Sequence, residues 1–140
     1  MSNRLRVLIA GAVVVVLLGG FVALRAVDNP STLDEAIGRL QDNHRFATSG
    51  KAGQTVADIS ADLRVDGAEC RDSHDDDARC AALLSASAFA AVTAFTLLDC
   101  TAPGVHEGRT TMLRYLRAVR TFLDGGAKGT PPSVPKVVTC

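Results

Sequence analysis

The stretch with the clearest capacity for chemistry is CRDSHDDDARC, residues 70–80, in which two cysteines flank a histidine and three consecutive aspartates. Zinc sites use cysteines at short spacing, whereas nine residues separate Cys70 from Cys80. Calcium sites use glycine-containing loops, and three consecutive aspartates on a helix would point in different directions. We therefore expect no metal and no other cofactor. The stretch is interpreted as a disulfide loop followed by a helix start, whose aspartates face the positive end of the helix dipole.

A second candidate is the adjacent pair His106 and Glu107, which follows the turn CTAPG. With a further carboxylate the two side chains would form an acid–base pair, but the first turn of a helix explains them without chemistry. The sequence contains no nucleophile elbow, phosphate-binding glycine loop or zinc-protease motif. We therefore predict a non-catalytic role. The alternative is a small extracytoplasmic ligand-binding protein or enzyme with a pocket near these two residues.

A third candidate is a group of four arginines on the last predicted helix, largely off its apolar stripe. They would contact an anionic surface, lipid head groups or an acidic partner, but a solvated helix face explains them without a partner. The group comprises Arg109, Arg114, Arg117 and Arg120.

The 140-residue chain has 15 basic and 15 acidic residues, and its aromatic residues are five Phe, one Tyr and no Trp. Balanced charge and few stacking side chains argue against nucleic-acid binding.

An apolar run, VLIAGAVVVVLLGGFVAL at residues 7–24, precedes all of these candidates. As a helix it would extend about 27 Å, close to the thickness of the hydrocarbon core of a bilayer. Arg4 and Arg6 predict a cytoplasmic N-terminus, so that the chain beyond the run is extracytoplasmic. The run exceeds the length of signal-peptide cores, and no clean small-x-small cleavage site follows it. We predict an uncleaved, single-pass anchor in the lipid bilayer, with secretion after cleavage as the alternative.

The chain divides into a membrane anchor at residues 1–27, an extracytoplasmic helical domain at residues 28–124 and an extended, proline-containing tail at residues 125–140. Thr32 and Glu35 form a capping box, which predicts that the first helix of the domain begins there and ends at about residue 47.

Three further segments follow within the domain. Residues 55–65 fit a short helix or a strand, and we favour the helix because a single strand would lack a partner. A loop is expected at residues 66–73, after which Ser73 caps a helix that ends at about Leu98. A turn at residues 101–104 leads to the last, amphipathic helix, which Gly125 closes.

Residues 81–98, AALLSASAFAAVTAFTLL, form a second uncharged run of eighteen residues and allow a different topology. If they crossed the bilayer, the chain would have two spans and both termini in the cytoplasm. The run is rich in alanine and hydroxyl residues, which add little to the free energy of membrane insertion. We favour its interpretation as the central helix of a bundle and keep the two-span protein as an alternative.

Four cysteines permit three pairings. A straight helix between Cys80 and Cys100 would hold them about 30 Å apart, which excludes a bond between them. The remaining choices are Cys70–Cys80 with Cys100–Cys140, or Cys70–Cys100 with Cys80–Cys140. The first is simpler because a ten-residue loop closes easily and the C-terminal tail can return to residue 100.

Taken together, the sequence predicts an all-α protein, an N-terminal transmembrane helix followed by a small disulfide-stapled helical bundle. The expected role is that of an interaction module or accessory subunit of a membrane or envelope complex, with the four arginines as its contact surface. This expectation follows from topology and from the absence of catalytic motifs in the sequence.

Overall fold

A computed structural model describes residues 31–73 and 77–140. The predicted anchor, including the apolar run at residues 7–24, lies outside the described residues, and so do residues 74–76 of the acidic stretch. Ser31–Cys140 forms one compact unit.

The described residues form helices and contain no strand, which confirms the all-α prediction. The tail after Gly125 has no helix. The helices are α1 (Thr32–Gln41), a 3₁₀ helix (Asn43–Phe46), α2 (Ser49–Asp72), α3 (Asp77–Leu97) and α4 (Ala102–Asp124).

The cap of α1 lies one residue earlier than predicted, and the helix is shorter. The Ser31 hydroxyl accepts a hydrogen bond from the amide of Asp34 at 3.2 Å, so Ser31 takes the capping position expected for Thr32. Asp42 leaves the helical conformation and caps the 3₁₀ helix through the amide of His44. The predicted end at residue 47 was therefore wrong, because a new cap interrupts the helix at residue 42.

Helix α2 replaces the predicted short helix at residues 55–65 and the predicted loop at residues 66–73 with one helix of 24 residues. Two glycines inside it are explained by packing. A Cβ atom on Gly53 would lie 2.6 Å from Cδ2 of Leu98, and one on Gly67 would lie 2.6 Å from Cδ2 of Leu84. The glycines therefore admit the side chains of Leu84 on α3 and of Leu98 directly after it, and they do not break the helix. Ser73 ends α2, and its hydroxyl donates to the carbonyl of Cys70 at 3.0 Å. Its predicted role as the cap of the next helix concerns residues 74–76, which lie outside the described residues.

The most extensive packing in the domain is between α2 and α3. At its centre the hydroxyl of Ser60 donates to the carbonyl of Ser87, and the hydroxyl of Ser87 donates to the carbonyl of Ser60, both at 2.8 Å. This reciprocal pair fixes the register of the two helices. Helix α4 packs on α3 and on α1 and completes the core. The largest fully buried side chains are Leu40, Ile59, Leu63, Leu97, Met112 and Leu116.

The cysteines form the simpler of the two predicted pairings, Cys70–Cys80 with Cys100–Cys140. Cys70 and Cys80 have a Cα separation of 5.4 Å and join the end of α2 to the start of α3. Cys100 and Cys140 have a Cα separation of 5.1 Å, so the tail returns to the start of α4. The predicted turn at residues 101–104 is instead the N-cap Thr101 and the first turn of α4, which contains Pro103.

Candidate functional site

Helix α3 has two apolar sides with different surroundings. Its inner side is buried among the other helices and includes Phe89, Ala90 and Leu97. Its other side faces solvent, although no charged residue interrupts residues 81–98. We define the outer face as the five exposed residues towards the C-terminal end of this run, which share one side because they recur at helical spacing. These are Ala88, Ala91, Val92, Phe95 and Leu98.

The outer face exposes large apolar side chains. The exposed fractions are 75% for Phe95, 51% for Leu98 and 50% for Val92. Beside Phe95 the small residues of α2 leave a groove of about 290 Å³, since Gly53 and Ala57 have little or no side chain there. The groove is lined by Gly50, Gly53, Gln54, Ala57, Ala91, Ala94, Phe95 and Leu98. Together, the groove and the protruding ring form a surface suited to an apolar partner.

Helix α3 is the one helix among the described residues that is long and apolar enough to cross a membrane, by length and composition alone. The most apolar 18-residue segment of this helix is 56% buried inside the domain, so somewhat less than half of the segment faces outwards.

The predicted pair His106 and Glu107 lies near a cavity of about 300 Å³ at the start of α4. Nine residues from three places in the chain line this cavity, which we call the α4 cavity, and His106 is one of them. Glu107 is exposed and is not a lining residue, so the cavity includes one of the two predicted side chains and not the other. The lining residues are Phe46, Ala47, Thr48, Ser49, Cys100, Ala102, Val105, His106 and Arg109.

The four arginines of the predicted contact surface have different environments. Arg109 turns inwards: its Nε donates to the carbonyl of Leu40, and its Nη1 donates to Oδ1 of Asn43 at 2.9 Å. Arg120 forms ion pairs with Asp34 at 2.9 Å and Asp124 at 3.7 Å. Arg114 and Arg117 are exposed. The structure therefore does not bring the four side chains together as one free basic surface.

Tyr115 was not identified from the sequence as a residue of interest. Its ring meets Phe89 edge to face with centroids 5.2 Å apart, and burial raises the pKa of its phenol above the ordinary value of 10.0. Tyr115 and Arg114 also line a groove of about 340 Å³ with Pro132 and Pro135 of the tail. The apolar periodicity of α4 could have shown that residue 115 is buried.

Within residues 31–73 and 77–140, no group of three histidine, cysteine or acidic side chains is placed to hold a metal ion. Residues 74–76 of the acidic stretch are outside that part of the chain. Cys70 and Cys80 are joined in a disulfide and so do not provide thiolates.

Comparisons with known proteins found no family model, no curated protein and no solved structure that matches this chain.

Proposed function

We propose that this chain is a membrane-anchored, extracytoplasmic interaction module with a non-catalytic role, and that the outer face of α3 docks on an apolar surface of a membrane or envelope protein. The observation that carries the proposal is Phe95, a large apolar side chain with 75% of its surface exposed at the edge of a groove. Burying a phenylalanine side chain contributes about 1.5–3 kcal/mol, which is the range of an interface anchor.

The apolar run at residues 7–24 supports the location of this partner. Six residues, 25–30, separate the run from Ser31, where the helical domain begins. Fully extended, six residues reach about 20 Å. An anchor in the bilayer would therefore hold the domain close to the membrane surface, where membrane and envelope proteins are the nearest partners.

The two disulfides support an extracytoplasmic location for the domain. Both pairs are formed, and the described residues contain no free cysteine. Disulfides persist in oxidising compartments and are rare in the cytoplasm. The positive charge of Arg4 and Arg6 ahead of the apolar run favours the same orientation.

The composition of the outer face favours a protein partner over the lipid surface. Helices that lie on membranes carry lysine and arginine along their polar face and at the interface. Between Arg79 and Asp99 the sequence of α3 has no charged residue, and an aspartate follows Leu98 directly. An anionic head group would find no cation on this face, whereas an apolar protein surface would fit it.

A comparison of two double variants of the full chain tests the docking surface. The first combines Phe95→Ser with Leu98→Ser, and the matched control combines Arg114→Ser with Arg117→Ser on the exposed side of α4. Each is extracted from its own membrane in mild detergent, and accompanying membrane proteins are quantified against wild type. We expect the first variant to lose a specific membrane protein that the control retains. The reverse result would overturn the proposal and assign the contact to the exposed arginines.

The two-span alternative has its own test, because it places residues 81–98 in lipid. In that topology Cys100 and Cys140 would face the cytoplasm and remain reduced. Labelling of intact cells with a membrane-permeant thiol reagent should leave wild type unmodified if all four cysteines are paired outside. Modification of Cys100 and Cys140 alone would support the two-span topology. In that topology the outer face would contact lipid and would not be exposed to solvent.

A further inference from the structure

The α4 cavity has a lining that is basic and polar on one part and apolar on another. Its lining residues include Arg109, His106 and the hydroxyl residues Thr48 and Ser49, and no aspartate or glutamate. Phe46 and Val105 provide apolar wall. The volume of about 300 Å³ lies at the small end of the range for ligand sites.

Arg109 is held in a fixed orientation at the wall of this cavity. Its Nε and Nη1 donate to Leu40 and Asn43, and its guanidinium carbon lies 4.8 Å from the centroid of the Phe46 ring. A guanidinium has five N–H donors, so these two hydrogen bonds leave three for a ligand. An arginine fixed in this way loses little conformational entropy when it binds.

No carboxylate of the described residues forms an ion pair with Arg109. Among the described residues, ion pairs involve Arg39, Arg45 and Arg120. Arg109 is half-buried and belongs to none of these pairs. A partly buried cation without a counter-charge favours an anion in the adjoining space, because charge-assisted hydrogen bonds are about twice as strong as neutral ones.

We infer that the α4 cavity binds a small organic carboxylate, with its carboxylate on Arg109 and its apolar part against Phe46 and Val105. His106 lies at the same cavity and supplies a further polar contact. The α4 cavity and the groove at the outer face of α3 have no lining residue in common, so variants can test ligand binding and partner docking separately.

Benzoate is the probe for this site, and benzamide is its neutral counterpart of nearly the same shape. The full chain, isotope-labelled in detergent micelles, is titrated with each and followed by amide NMR. We expect saturable shifts at Ser49, Ala102 and His106 with benzoate, and at least tenfold weaker binding of benzamide. Equal binding of the two probes would overturn the carboxylate assignment. Shifts with inorganic phosphate but none with benzoate would also overturn it.

Two variants locate the binding. Arg109→Gln removes the charge and should weaken benzoate binding at least tenfold, whereas Arg114→Gln, on the exposed side of the same helix, should leave it unchanged. Arg109 also donates a hydrogen bond to Leu40 of α1, so Arg109→Gln could fail to fold. A second variant tests the site in that case. Ala102→Phe fills the cavity from an exposed position and keeps Arg109, so it should abolish binding. Unchanged affinity in Ala102→Phe would refute the site.

Discussion

Phe89 and Phe95 are the same residue type on the same helix, six positions apart, and they have opposite surroundings. Phe89 is 4% exposed and packs on Tyr115, whereas Phe95 is 75% exposed. At about 100° per residue, six positions place the two rings roughly 120° apart around the helix axis. The inner ring stabilises the domain, while the outer ring contributes little to folding and is available for binding. An apolar run therefore does not reveal by composition which of its residues serve stability and which serve recognition.

The largest effect is expected for Phe89→Ala. Removal of the buried ring leaves a cavity and ends the contact with Tyr115, so the free energy of unfolding should fall by about 3–5 kcal/mol. Phe95→Ala is the matched control and should change it by less than about 0.5 kcal/mol. Thermal or denaturant unfolding of the full chain in detergent measures both. Comparable destabilisation by the two variants would contradict the difference between the two sides of α3.

The next largest effects concern the disulfides, which bracket α3 at both ends. Replacement of Cys70 and Cys80 by alanine should lower the free energy of unfolding by about 3 kcal/mol. The same change at Cys100 and Cys140 should lower it by about 4 kcal/mol, because that bond closes a longer loop, with a sequence separation of 40 rather than 10. Unfolding of the two paired variants, measured side by side, checks the order. A larger loss for the shorter loop would show that chain entropy does not set these contributions.

A smaller effect is expected at the serine pair between α2 and α3. Ser87→Ala removes the hydrogen bond to the carbonyl of Ser60 from a buried site and should cost about 1 kcal/mol. Ser85→Ala, at a partly exposed position of the same helix, should be close to neutral. The comparison is made by denaturant unfolding, and equal values for the two serines would remove the reciprocal pair as a source of stability.

The smallest effect concerns Tyr115, the one tyrosine in the chain. Burial raises its pKa, so the folded state keeps the proton at pH values where the unfolded chain has lost it. Stability should therefore be unaffected by this group below pH 10.0 and should decline as the pH rises above it. Phenolate absorbance of the folded chain measures the pKa without interference from another tyrosine. Tyr115→Phe should reduce the decline, and a phenol that titrates at its ordinary value would contradict the burial.

The sequence predicted the all-helical fold and the disulfide pairs for physical reasons that operate locally. Helical spacing marks the cores of α1 and α4, an uncharged apolar run marks α3, and helix length separates Cys80 from Cys100. The sequence did not predict the full length of α2, because glycine is a poor helix former and the close packing at Gly53 and Gly67 depends on the side chains of Leu98 and Leu84.

Side-chain direction was less predictable than helix position. Arg109 was expected on an exposed surface, but its partner Leu40 is 69 residues away in the sequence. Periodicity cannot show that a carbonyl from α1 lies within reach of this guanidinium. The exposure of Phe95 also depends on tertiary packing, since the uncharged run from Ala81 to Leu98 fits a helix buried on all sides equally well.

Site-specific photo-crosslinking in intact cells tests the central claim most directly. A photoreactive amino acid is placed at position 95 on the outer face of α3, or at position 117 on the exposed side of α4 as the control. We predict a covalent adduct between position 95 and another membrane or envelope protein, identified by mass spectrometry, and no such adduct from position 117. Adducts of equal yield from both positions, or adducts from position 95 to lipid or to a second copy of this chain alone, would contradict the account.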